Sequence, residues 1–164
     1  MSYLKQNIKK DTKVISGFPG TGKSFLFNNQ SDLIILDSDS SHFSWIKDKY
    51  GNNTKDRNPN FPDNYIKHIQ KNIGKVDIIF ISSHKIVQDA LKHSNIHYTI
   101  IYPDKSLKNE WIIRFKNRGN NKEFIEFISN NWDSFIDEIE ENTFHKKIKL
   151  NSGEYIADVL FDII

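Results

Sequence analysis

Short runs of β-branched and apolar residues alternate with longer amphipathic stretches along this chain, and the alternation sets the expected architecture. Brief continuous apolar runs bounded by turn formers suit strands buried on both faces, whereas apolar positions three and four apart suit helices with one buried stripe. Strands are therefore expected over Thr12–Ser16, Leu33–Leu36, Val76–Ile81, Tyr98–Tyr102 and Lys147–Leu150. Between them the pattern predicts helices from about Lys23 to Asn29, Asp63 to Asn72, Lys85 to His93 and Ser106 to Lys116, the last ending near Gly119. A longer helix is expected from Lys122 to about Glu140, with Phe124, Ile128, Trp132, Phe135, Ile136 and Ile139 on one stripe that reads as core. Ser152 is placed to cap a final helix carrying Tyr155, Ile156, Val159, Leu160 and Ile163. Strands alternating with helices predict an α/β fold, three layers deep, around a five-stranded, mainly parallel sheet.

At 164 residues the chain has the length of one domain with room for a genuine core, and no linker or repeat divides it. With 37% hydrophobic and 13% aromatic residues it is too apolar for a disordered segment. A net charge of +2, from 23 basic and 21 acidic residues, creates no field that gathers nucleic acid or an anionic membrane by itself. The absence of cysteine removes disulfides, thiolate metal sites and thiol nucleophiles together. No apolar run is long enough to span a bilayer, and residues 1–11 lack the apolar stretch of a secretory signal, so a cytoplasmic location is expected. Among the basic residues 20 are lysines and three are arginines, Arg57, Arg114 and Arg118.

The chemistry concentrates after the first expected strand. Gly17-Phe18-Pro19-Gly20-Thr21-Gly22-Lys23-Ser24 satisfies G-x-x-x-x-G-K-[ST] in full, between a strand and a helix. The glycines let the backbone curl so that successive N–H groups converge on phosphate oxygens, backed by the positive end of the following helix. Lys23 then supplies charge to the β- and γ-phosphates, and the Ser24 hydroxyl can ligate Mg²⁺. The second strand ends in Asp37-Ser38-Asp39, whose alternate carboxylates can project together toward the phosphate loop. Asp77 opens the third strand, the wrong end of the sheet for a ligand site.

These residues resemble P-loop kinases. The loop looks like theirs throughout, and Asp37-Ser38-Asp39 resembles the D-S-D of shikimate-kinase-like enzymes. The resemblance implies ATP as phosphoryl donor, Asp37 organising Mg²⁺ and Asp39 holding or deprotonating an acceptor hydroxyl. The stretch Trp111-Ile112-Ile113-Arg114-Phe115-Lys116-Asn117-Arg118-Gly119 resembles the lid of nucleoside monophosphate kinases, with Arg114 and Arg118 closing over the transferred group in a short lid at about 114–121. Residues about 40–66 occupy the place of the acceptor-binding insert, and His42, Phe43, Trp45, Tyr50, Arg57, Phe61 and Tyr65 can stack on a base or pair with a phosphate. Of these, Phe43, Trp45 and Arg57 are the substrate-binding candidates, with His84 after the third strand facing the same cleft. Asn151-Ser152-Gly153 resembles the adenine-side loop of such kinases. Small kinases of this kind are also encoded by bacteriophages, including enzymes acting on modified pyrimidine nucleotides or on hydroxymethyl-pyrimidines in DNA.

The expected activity is transfer of the γ-phosphoryl of ATP to a small acceptor, a nucleoside or nucleotide. Alternatives are a polynucleotide or modified-base DNA kinase and a partner-dependent P-loop ATPase. No N-K-x-D guanine-reading motif is present, which disfavours a GTPase.

Overall fold

The computed structural model describes residues 8–164, and the expectation about a secretory signal falls largely on residues 1–7, outside the described part. Five strands form one parallel sheet: β1 (Lys13–Gly17), β2 (Ile35–Asp37), β5 (Ile78–Ile81), β6 (Thr99–Pro103) and β7 (Lys146–Leu150), in the spatial order β2-β5-β1-β6-β7. Every pairing within it is parallel. The α/β class and the five strands match the sequence pattern, because a strand covered on both faces must be apolar throughout. In β5, Ile78, Ile79, Phe80 and Ile81 are all buried.

The helices are α1 (Lys23–Asn29), α2 (Ser41–Ser44), α3 (Asp63–Asn72), α4 (Lys85–His93), α5 (Lys108–Asn117), α6 (Lys122–Asn130) and α7 (Trp132–Glu141). The crossover from β1 to β2 runs in one direction across the sheet and the later crossovers run in the other. Right-handed connections therefore put α1 on one face and α3 and α4 on the opposite face, giving three layers. The reversal of direction also opens a crevice at the carboxyl end of β1, where sheets of this kind bind ligands. Gly17, Asp37 and Ser82 reach that edge. Asp77 lies at the other, where it accepts from Lys10 Nζ at 2.8 Å and from the Ile34 N–H at 2.7 Å. Those two donors hold its carboxyl below the usual range, so it is a structural tie.

Three local features depart from the sequence reading. The expected helix from Lys122 to Glu140 is two helices broken at Asn131, which ends α6 and begins α7. The break lets Trp132 turn into the core, donate from Nε1 to the Lys105 carbonyl at 2.8 Å, and meet Phe18 edge to face at 5.5 Å. The final helix is a 3₁₀ segment, Ile156–Asp162, and Ser152 caps nothing there; its hydroxyl donates to Glu110 at 2.6 Å instead. Within the insert, β3 (Trp45–Lys47) and β4 (Asn53–Arg57) pair into an exposed antiparallel ribbon with Trp45 opposite Arg57. The aromatic richness of that segment concealed it.

A buried histidine at the opposite end of the molecule from the crevice gives the fold a pH limit. The His145 ring lies tilted against Tyr98 at 3.5 Å between ring centroids, and its Nδ1 has no hydrogen-bond partner among the described residues. Burial, with the charges of His97 and Lys92 adding to it, lowers its pKa from 6.5 to about 4. The unfolded chain therefore takes up a proton near pH 6.5 that the folded chain refuses until about pH 4. Stability is full above that window and declines as pH falls through it. The decline reaches about 3 kcal/mol by pH 4. Urea midpoints measured across this range should show it, and His145→Phe should flatten the profile.

Candidate functional site

The phosphate loop is shaped by contacts that leave little choice of residue. Gly20 and Gly22 have φ of +83° and +90°, where L side chains are strained. At Gly17 the constraint is space: a Cβ there would lie 2.8 Å from Thr21 Oγ1 and 2.9 Å from Lys23 Cδ. Thr21 is itself buried, its hydroxyl donating to the Phe18 carbonyl at 2.7 Å. Phe18 continues β1 by donating its N–H to the Ile101 carbonyl at 2.8 Å, while its ring faces the core. Phe18 therefore offers only its backbone to a phosphate group in the loop. Pro19 presents its carbonyl to Trp111 Nε1 at 2.9 Å, so α5 props the loop from outside.

Lys23, the first residue of α1, folds back so that Nζ donates to the Gly17 carbonyl at 2.6 Å. Burial pushes its pKa below the ordinary lysine value, the Asp37 carboxylate pulls it back up, Arg118 pushes it down and Asp39 raises it. Asp37, Asp39 and Arg118 thus all lie near enough to act on Lys23, although they come from different elements. Ser24, in the first turn of α1, is exposed.

The turn after β2 is fixed with unusual care. Exposed Asp37 and Asp39 alternate with buried Ser38 and Ser40, so both carboxylates leave the same side of the chain. Ser38 is held at every polar atom: its N–H donates to the Phe80 carbonyl at 2.9 Å, its carbonyl accepts from the Tyr65 hydroxyl at 2.7 Å, and its hydroxyl meets His68 Nε2 at 2.8 Å. Burial raises the Tyr65 phenol above its usual pKa, keeping it protonated as that donor. Ser40 donates its N–H to Ser82 Oγ at 3.0 Å. Asp39 Oδ1 accepts from the Ser41 N–H at 2.9 Å, which orients the carboxylate, and Oδ2 has no hydrogen bond among the described residues. Sequence reasoning missed Ser38, His68 and Ser82 as supports; only Tyr65 had been singled out, and as a possible stacking residue. The alternation of small polar residues with the two aspartates was the available signal.

The two arginines separate. Arg118 ends α5, is exposed, and makes no ion pair among the described residues. Arg114 is buried: Nη1 donates to the Gly20 carbonyl at 3.1 Å, and Nη2 donates to the Glu154 carbonyl at 2.9 Å and to Glu110 at 3.2 Å. Its guanidinium lies between the rings of Trp111, 3.8 Å away, and Tyr155, 3.9 Å away. Arg114 therefore braces the loop from beneath and is not free to swing, contrary to its expected place in a lid. The lid itself is a compact turn. The N–H groups of Gly119 and Asn120 bond back to α5, and the Asn121 side chain accepts from the Phe124 N–H to start α6.

The acceptor-side candidates are equally divided. Phe43 packs on Tyr65 and His68, so it supports the Asp39 turn more than it lines open space. Arg57 covers the Trp45 ring at 4.1 Å on the exposed ribbon, which leaves one face of the indole occupied. His84 is exposed at the N-terminus of α4. The loop at Asn151-Ser152-Gly153 is fastened to Glu110 through Ser152 and Gly153, and the adjoining Ile156 N–H donates to the Thr21 carbonyl at 2.9 Å. Among the described residues no group of three or more His, Cys, Asp or Glu side chains could hold a metal alone, and no helix is long and apolar enough to cross a membrane.

No protein-family model matches the chain, and no curated protein matches it.

Proposed function

We propose that the chain is an ATP-dependent phosphotransferase that moves the γ-phosphoryl group to a small acceptor, a nucleoside or nucleotide. The observation that carries this reading is the convergence of Asp37, Asp39 and Arg118, from separate elements, on Lys23 beside a loop whose glycines take positive φ or leave little room for a Cβ.

The loop N–H groups would cradle the triphosphate, and its arrival draws Lys23 Nζ off the Gly17 carbonyl onto the β- and γ-phosphates. The Ser24 hydroxyl and the Asp37 carboxylate form an all-oxygen donor set that fits Mg²⁺, a hard cation that keeps several waters and phosphate oxygens as ligands. When bound, that ion offsets the negative charge on the phosphates. Asp39, oriented by Ser41, accepts the proton of the acceptor hydroxyl through Oδ2 as the acceptor oxygen bonds to the γ-phosphorus and the bond to the β-γ bridging oxygen breaks, leaving ADP. Lys23 and Arg118 stabilise the charge on the three transferred oxygens. Arg114 contributes by keeping Gly20 in place.

A polynucleotide acceptor is the second reading, favoured by Lys47, Lys49, Lys55 and Arg57 on the exposed ribbon that follows the Asp39 turn. Both readings are tested by transfer of labelled γ-phosphate from ATP to nucleosides, nucleotides, sugars and oligonucleotides. A labelled product is expected, and ATP turnover should rise at least about 10-fold with the true acceptor, since the acceptor completes the site. Unstimulated hydrolysis at full rate with no labelled product overturns the phosphotransferase reading. With Asp39→Asn, acceptor phosphorylation should fall about 100-fold or more while ATP affinity stays within about twofold.

A further inference from the structure

On the face of the sheet that carries α4, beside the phosphate loop, lies a cavity of about 420 Å³. Its apolar walls include Phe18, Ile100, Phe124, Phe127, Phe135 and Ile139, with Phe127 meeting Phe135 edge to face at 5.7 Å, while polar side chains such as Lys85, Gln88 and Glu138 also border it. The volume is that of a small-molecule pocket, and walls of this kind hold water poorly. One polar atom is stranded among them. Ser16 lines the cavity at 1% exposure, and its Oγ has no hydrogen-bond partner among the described residues. A buried hydroxyl without a partner is costly, and alanine at that position would avoid the cost.

The cavity is also well placed. Ser16 directly precedes Gly17, whose carbonyl holds Lys23 Nζ. Pro19 of the phosphate loop borders the cavity on one side, and Ser83 and His84 border it on another. Ser82, immediately before them, is bonded to Ser40 beside Asp39. The opening therefore lies between the two parts of the site that would hold donor and acceptor.

We propose that this cavity binds an uncharged planar ring system of one or two cycles, with the Ser16 hydroxyl bonded to its polar edge. The ring belongs to the phosphate acceptor, a role that rests on the phosphotransferase reading, whereas binding of the ring does not. Aromatic walls favour the flat face of such a group, and the charged residues that border the cavity, Lys85 and Glu138, are exposed and of opposite sign, so an ionised ring would enter without a buried countercharge.

The test titrates the full chain with benzimidazole, thymine, toluene and, as a charged control, benzoate, by ligand-observed NMR, with MgATP titrated in parallel by calorimetry. The three uncharged rings should bind saturably, and benzoate at least about 10-fold more weakly. Ile139→Trp, which fills the space, and Phe127→Ala, at a position exposed enough to leave folding intact, should each weaken ring binding about 10-fold. Ser16→Ala should weaken benzimidazole and thymine by up to about 10-fold, leave toluene unchanged, and keep or raise Tm. A residue serving only the fold would not lower affinity for the polar rings while leaving Tm intact. The proposal is overturned if the uncharged rings bind no better than benzoate, or if all three variants bind them as the parent does. Loss of the ring response with MgATP binding intact removes the pocket alone. Absence of MgATP binding, with the rings bound and sensitive to the variants, removes the phosphotransferase reading and supports the pocket.

Discussion

Lys23→Ala is expected to abolish phosphoryl transfer, lowering kcat/KM by at least about 1,000-fold, while the protein stays folded. The ammonium sits at a partly buried position in the loop, and burial has already depressed its pKa, so it meets the phosphates with little hydration left to lose. Its hydrogen bond to the Gly17 carbonyl is of a kind that a nearby water replaces on truncation. Thermal melts should therefore differ by no more than about 2 °C. Calorimetry with MgATP should show affinity lost by about 100-fold. Normal triphosphate affinity in the variant would mean that the loop grips phosphate without its lysine, and the mechanism drawn above would fail. Lys23→Arg should not rescue activity, because a bulky planar guanidinium cannot take the place of the compact ammonium that sits against the Gly17 carbonyl.

The second large effect separates two arginines that look alike in sequence. Arg114→Ala removes a buried cation that holds Gly20 and Glu154 by their carbonyls and fills the space between two aromatic rings. Stability should fall by about 3 kcal/mol, because two buried acceptors and the partner carboxylate of Glu110 lose their donor together. For a chain of this length that corresponds to roughly 10 °C in Tm. Arg118→Ala should leave Tm within about 1 °C, since the side chain is exposed, and should reduce kcat about 100-fold with ATP affinity little changed. Equal loss of stability in both variants would show that Arg118 is part of the same brace. Unchanged kcat in Arg118→Ala would remove it from the reacting centre.

The contrast between these residues shows what could be read from the sequence. The phosphate loop was legible because its requirement is local: glycines where φ is positive or a Cβ has no room, then a lysine, all within eight consecutive positions. The strands were legible for a related reason, since burial on both faces leaves an uninterrupted apolar run such as Ile78–Ile81. Arg114 and Arg118 share a helix end and a spacing of one turn, yet one is buried and the other is not. What decides between them is Tyr155 and Glu154, which arrive from a distant part of the chain. The break at Asn131 is of the same type. A continuous stripe from Phe124 to Ile139 satisfies helical periodicity, and only the pull of Lys105 and Phe18 on Trp132 bends it. The ribbon at residues 45–57 was hidden because neither strand alternates cleanly, and most of its residues are exposed on both faces. Of the acceptor-side residues, Asp39 was identifiable from its spacing, but its fixing through Ser38, Tyr65 and His68 required contacts across some thirty positions.

The fastening of residues 154–156 to the phosphate loop has a consequence for how the protein is made. Ile156 bonds to Thr21, the Tyr155 ring lies against Gly22, and Glu154 shares Arg114 with Gly20. A nascent chain carrying the whole glycine-rich motif would still lack these supports until the downstream segment had left the ribosome and docked. The braced form of the glycine-rich loop is therefore reached late in biosynthesis, only once residues 154–156 have docked on it.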